Sequence, residues 1–129
     1  MTRLLSLLLL PVVAFTSDPA PQTGWASYYN EVPTVATIEA RLEMGHITTA
    51  DLLWANSLIA VADCGMIGDR VTIQIDGGEL RNAIVFDCAG NDGTVEWMES
   101  SGIIVEVDYY TAMDYGMIDR GALRVKVWE

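Results

Sequence analysis

At 129 residues, with 51% hydrophobic and only 19% charged residues, the chain has the length of one domain with an ordinary core and is too apolar for disorder. Eighteen acidic residues against seven basic ones give a formal charge of −11. No basic patch is available to release counterions from a phosphate backbone, which argues against nucleic acid, and the same charge opposes adhesion to an anionic membrane surface.

The chain opens on a segment that reads as a signal peptide over residues 1–16. Arg3 supplies a short positive region, and residues 4–15 form an apolar run too short to span a bilayer. Val12 and Ala14 stand as a −3/−1 pair for cleavage after Ala14, and cleavage a few residues later fits equally well. A buried N-terminal helix or an uncleaved anchor is the competing reading. The expected location is therefore secreted or periplasmic, with no membrane attachment after cleavage. Residues 17–23, SDPAPQT, read as a linker: two prolines, small polar residues and no periodicity.

A domain over residues 24–129 follows. GWASYY (24–29) is aromatic-rich and alternates as a first strand does. An insertion at residues 31–58 is helical. Residues 34–44 place Val35, Ile38 and Leu42 at helical spacing, with Gly45 where a C-cap belongs. Thr48 or Thr49 can cap the segment ADLLWANSLI, with Asp51 in its first turn and Leu52, Leu53, Trp54 and Leu58 as its apolar face. IAVAD (59–63) is apolar on both faces, as a barrel-core strand is. RVTIQI (70–75) alternates, Asp76-Gly77-Gly78 is a hairpin signal, and NAIVFD (82–87) returns. VEWMESSG is a short helix or an irregular loop. IIVEVD (103–108) is another strand, and YYTAMDYG a short helix with Asp108 as N-cap and Gly116 as C-cap. ALRVKVW (122–128) closes the chain, with Leu123, Val125 and Val127 on one face and Arg124 and Lys126 on the other.

The two cysteines each follow an aspartate, Asp63-Cys64 and Asp87-Cys88. In an oxidising compartment two cysteines are most economically one disulfide, and the bond would close a loop of roughly 25 residues worth about 3 kcal/mol. Two buried thiols, or half of a metal site, are the alternatives. The chain has one histidine and no CxxC or HxxxH spacing, so no zinc site is expected, and no cofactor either.

Six strands with a short helix before the last is the layout of a six-stranded double-psi β-barrel. GWASYY resembles the opening strand of rare-lipoprotein-A-like and expansin-like domains. The series AVAD, IGDRVTIQIDGG, AIVFDCAG, VEVDYYTAMDYGM and LRVKVW is similar to the 3D domain, named for three aspartates, here Asp63, Asp87 and Asp108. The turn after Asp63 is about two residues shorter than in that family, Cys64 stands where a proline is usual, and Gly68-Asp69 replaces Gly-Thr. The histidine that rare-lipoprotein-A-like domains carry near this position has no counterpart, and the helical residues 31–58 replace a shorter loop.

The resemblance implies peptidoglycan chemistry, as in lytic transglycosylases that use a single aspartate as acid and base. Such an aspartate needs a raised pKa, which burial or a second carboxylate supplies. On this expectation Asp108 or Asp87 is the acid and Asp63 its electrostatic partner, while Trp25, Tyr29 and Tyr109 contact sugar. Each aspartate also has a structural role open to it, Asp108 as a helix cap and Asp63 and Asp87 as acceptors in the turns that follow them. A non-catalytic glycan- or protein-binding barrel is the second function class. His46 reads as a solvated turn residue, and Asn91-Asp92-Gly93 as a plain turn rather than a calcium loop.

Overall fold

The computed structural model describes residues 20–90 and 93–129, so the expected signal peptide and residues 17–19 of the linker lie outside the described residues. The elements run β1 (Gln22–Tyr28), α1 (Glu31–Glu43), α2 (Thr49–Trp54), β2 (Ser57–Val61), a 3₁₀ turn (Cys64–Met66), β3 (Arg70–Ile75) and β4 (Leu80–Cys88). They continue as α3 (Thr94–Ser101), β5 (Ile103–Val107), α4 (Tyr109–Asp114), α5 (Met117–Arg120) and β6 (Leu123–Trp128).

The strands close into a six-stranded mixed barrel in the order β1-β5-β2-β4-β3-β6. Pairs β1–β5 and β2–β4 are parallel and the other four are antiparallel. Exchanging β1 with β4, β2 with β5 and β3 with β6 leaves every neighbour relation unchanged, so the two halves of the chain are wound around the barrel in the same way.

Two hydrophobic layers follow from the alternation of side chains along the strands. Ile59, Val61, Ile73, Val85, Val105, Val107 and Val125 fill the barrel interior. Leu58, Ala60, Ile84 and Phe86 point outward and are covered by the helical insertion through Ile38, Leu52 and Trp54. Burying each of the larger of these side chains is worth about 1.5–3 kcal/mol. β2 is buried along its whole length because it faces both layers, as its continuous apolar run requires.

Several boundaries differ from the sequence reading. β1 starts two residues early, since Gln22 and Thr23 pair with Val127 and Lys126 of β6. α2 ends at Trp54 rather than reaching Ile59: Ala55 is extended, the Asn56 N–H already bonds the Asn82 carbonyl, and Ser57 and Leu58 belong to β2. Its start is the capping box of Thr48 and Asp51. The inward stripe of α1 is Thr34, Ile38 and Arg41, whereas Val35 and Leu42 are exposed. Residues 94–101 form a helix stopped by Gly102 in the left-handed region at φ 74°. After α4, Gly116 starts a further turn of helix, α5, instead of ending the helical segment. The hairpin signal holds: Asp76 and Gly77 take φ 55° and 70°, and the Gly78 N–H closes the turn onto the Ile75 carbonyl.

Candidate functional site

Asp108 ends β5 and caps α4. Its carboxylate accepts the Leu58 N–H at 2.7 Å, the Thr111 N–H at 3.0 Å and the Thr111 hydroxyl at 2.8 Å. It is 4% exposed. Thr34 of α1 lies over the same corner, its hydroxyl accepting the Tyr109 N–H. A buried carboxylate with three donors is a satisfied structural group. A 220 Å³ cavity between α2 and α4 touches it, lined also by Leu52, Ala55, Asn56, Ser57, Leu58 and Tyr110.

Asp87 owes its position to a bulge. Ile59 pairs with Val85 but Ala60 pairs with Asp87, so Phe86 is the extra residue. Alternation alone would point Asp87 into the barrel with Val85. The slip turns it out beside Phe86, against α1. There it accepts the Tyr29 hydroxyl at 2.6 Å, the Arg41 guanidinium at 2.8 Å and the Cys88 N–H at 2.9 Å. Arg41 is fixed in turn by the Phe86 carbonyl at 2.9 Å and His46 Nδ1 at 2.9 Å. On the other side of Ala60, Glu106 accepts the Ser27 hydroxyl at 3.0 Å. Burial, and then the charge of Asp87, push the Glu106 carboxyl above its ordinary range against the pull of Ser27. Burial and the Asp87 hydrogen bond push the Tyr29 phenol far above its usual value, so it stays protonated and donating.

Asp63 is the exposed member of the three. It caps the 3₁₀ turn by accepting the Gly65 N–H at 2.8 Å. With Glu99 of α3 and Gln22 of β1 it lines an open 290 Å³ groove whose apolar part is Met66, Met98, Ile103 and Ile104. Cys64 and Cys88 form a disulfide across the Asp63 and Asp87 strand ends, with Cα atoms 4.9 Å apart. The staple joins the two backbones without joining the two carboxylates, because one faces α3 and the other α1. The three aspartates thus line three separate cavities, that of Asp87 being an open 320 Å³ recess along α1.

The aromatic candidates divide similarly. Trp25 stands on the outer face of β1, 38% exposed, with the Arg124 guanidinium 4.9 Å over its ring. Tyr29 is engaged by Asp87 and packs on Phe86 at 5.4 Å. Tyr109 sits edge-on to Tyr110 at 5.7 Å on α4. Arg41 and Glu106 carried no signal in the sequence, since a polar residue in a helix or at an outward strand position reads as solvent-facing. Among the described residues no three His, Cys, Asp or Glu side chains gather to hold a metal ion, and Asn91 and Asp92 lie outside them. No helix among the described residues is long and apolar enough to cross a membrane.

The chain matches no protein-family model, and no curated protein matches it in sequence.

Proposed function

We propose that the chain is an exported barrel of the double-psi kind that binds cell-wall glycan without cleaving it. The observation that carries this reading is the separate engagement of the strand-end aspartates: Asp108 is saturated by three donors and Asp87 is held by Arg41 and Tyr29. Of the three aspartates only Asp63 is exposed, at the edge of an open groove. The groove's apolar residues suit the flat face of a sugar ring, and Asp63, Glu99 and Gln22 at its edge suit sugar hydroxyls. The equivalence of the two barrel halves and the strand-then-aspartate series support the double-psi reading. The disulfide and the leading apolar residues support export.

Co-sedimentation with purified sacculi, assayed together with muropeptide release, tests the proposal. Binding without release is expected, weakened in the Asp63→Asn/Glu99→Gln double variant. No binding to sacculi removes the glycan and leaves a protein partner.

One observation favours a second reading, a lytic-transglycosylase-like enzyme: Asp63 and Glu99 line the same open groove. In that case the acid is Asp63, and anhydro-ended muropeptides appear with the wild type and vanish in a folded Asp63→Asn variant.

A further inference from the structure

Four of the six cationic side chains among the described residues are ion-paired: Arg41 with Asp87, Arg70 with Asp51, Arg81 with Asp114 and Arg120 with Asp76. The two without a carboxylate partner among the described residues, Arg124 and Lys126, are neighbours on the outer face of β6. At i and i+2 on one strand they stand about 6.6–6.8 Å apart. Both line one 290 Å³ cavity with Thr23, Gln74 and Gly77. The register builds this cavity: Lys126 lies between Thr23 of β1 and Gln74 of β3, and Arg124 lies opposite Trp25. The nearby carboxylate of Asp76 is occupied by Arg120 at 2.9 Å. In a chain of charge −11, two adjacent unpaired cations over neutral hydrogen-bonding groups form a local exception to the acidic surface.

We infer that the outer face of β6 is a second binding site, which takes a carboxylate carried on a sugar. The carboxylate lies between the Arg124 guanidinium and the Lys126 ammonium, and ring hydroxyls reach the Thr23 hydroxyl and the Gln74 amide. The cavity falls just below the ~300–1,000 Å³ of sites for drug-sized ligands, so it holds one residue of a longer chain. Trp25 connects it to the Asp63 groove: its ring lies under Arg124 on one side, and its Cδ1 is 3.4 Å from where a Cβ on Gly102, a groove residue, would stand. An extended glycan crossing Trp25 touches both cavities. The sugar part of this inference rests on the glycan-binding reading proposed above.

Amide-resolved NMR titration with trigalacturonate, chitotriose and inorganic phosphate tests it. Trigalacturonate is expected to shift Thr23, Gln74, Arg124, Lys126 and the Trp25 indole, and chitotriose to leave the Arg124 and Lys126 amides in place. The dissociation constant should rise about tenfold in Arg124→Gln/Lys126→Gln and a few-fold in Lys126→Gln alone, as loss of exposed ion pairs implies. No shift at these residues, equal shifts with chitotriose, or an unchanged constant in both variants overturns the inference. Phosphate binding as tight as trigalacturonate overturns its sugar part. Asp63, Met66, Ile103 and Ile104 report separately on the groove. Their response to chitotriose with a silent β6 leaves the glycan reading standing and this inference fallen. A β6 response to trigalacturonate, with the groove silent to both saccharides, leaves the β6 site standing and removes the Asp63 groove from the glycan-binding reading.

Discussion

The Asp108 carboxylate reaches across from the end of β5 to accept the Leu58 N–H at 2.7 Å, so the residue that caps α4 also closes the start of β2. That N–H is buried and has its acceptor in this carboxylate. Position 108 therefore couples three elements, and its substitution is read in stability before it is read in any activity.

Asp108→Asn keeps an acceptor for the Thr111 N–H but sets an amide NH₂ against both donors to Oδ2. The Thr111 hydroxyl can turn to accept, whereas the buried Leu58 N–H loses its acceptor, at a cost of about 1–3 kcal/mol. Asp108→Ala loses all three bonds and costs more. Urea unfolding followed by far-UV circular dichroism measures both. An Asp108→Asn midpoint equal to wild type would show that the carboxylate is not needed as a cap.

Tyr29→Phe removes one of the three donors to Asp87 and is expected to cost about 1.5–3 kcal/mol, as for a hydrogen bond to a charged group. Arg41→Gln removes the ion pair and costs at least as much, because the carboxylate is only partly solvated. The two effects should be non-additive, since both act on Asp87. A double-mutant cycle with zero interaction energy would mean that Tyr29 and Arg41 do not share that partner.

Glu106 gives a pH dependence whose sign is set by its raised pKa. Between the ordinary carboxylate range and the raised value the folded chain holds a proton that the unfolded chain has lost, so stability falls as pH rises through that window. The penalty is fully present above the window and absent below it. Glu106→Gln keeps an acceptor for Ser27 and removes the charge. It should be more stable than wild type at about pH 8 and equal to it at about pH 4, as judged by unfolding midpoints. A constant difference at both pH values would refute the assignment to Glu106.

The Cys64–Cys88 bond spans 24 positions of sequence, for which loop closure contributes about 3 kcal/mol. Cys64→Ala/Cys88→Ala should lose about that much, with Asp87 still held by Arg41. Unfolding with and without reductant checks it: reductant should lower the wild-type midpoint toward that of the double variant and leave the variant unmoved.

Local features were legible in the sequence because their causes are local. Alternation in residues 70–75 and 123–128 marks strands whose one face is buried. Asp76-Gly77 reads as a hairpin turn because both residues take positive φ, and Asp108 reads as a cap because the helix begins at the next residue. A helix over residues 34–44 was legible too, three residues short at its start and one long at its end against the observed Glu31–Glu43, but its buried face was not. Val35 and Leu42 were expected inward, yet Thr34 and Arg41 are the ones used, each serving a partner far along the chain.

The sequence by itself thus determined the alternating strands, the cap at Asp108 and the two Asp-Cys sites for which one disulfide was the most economical state, and the Cys64–Cys88 bond itself came with the structure. Tertiary structure decided where the carboxylates go. A one-residue slip at Phe86 turns Asp87 out to Arg41, and the barrel order sets Glu106 across β2 from it, with Ala60 between them. It also decided that Arg124 and Lys126 stay unpaired among the described residues while four other cations find carboxylates. The physical reason is that periodicity and capping are properties of neighbours in sequence. Register, bulges and ion pairs depend instead on contacts such as Tyr29 with Asp87, which are 58 positions apart and exist only once the barrel has closed.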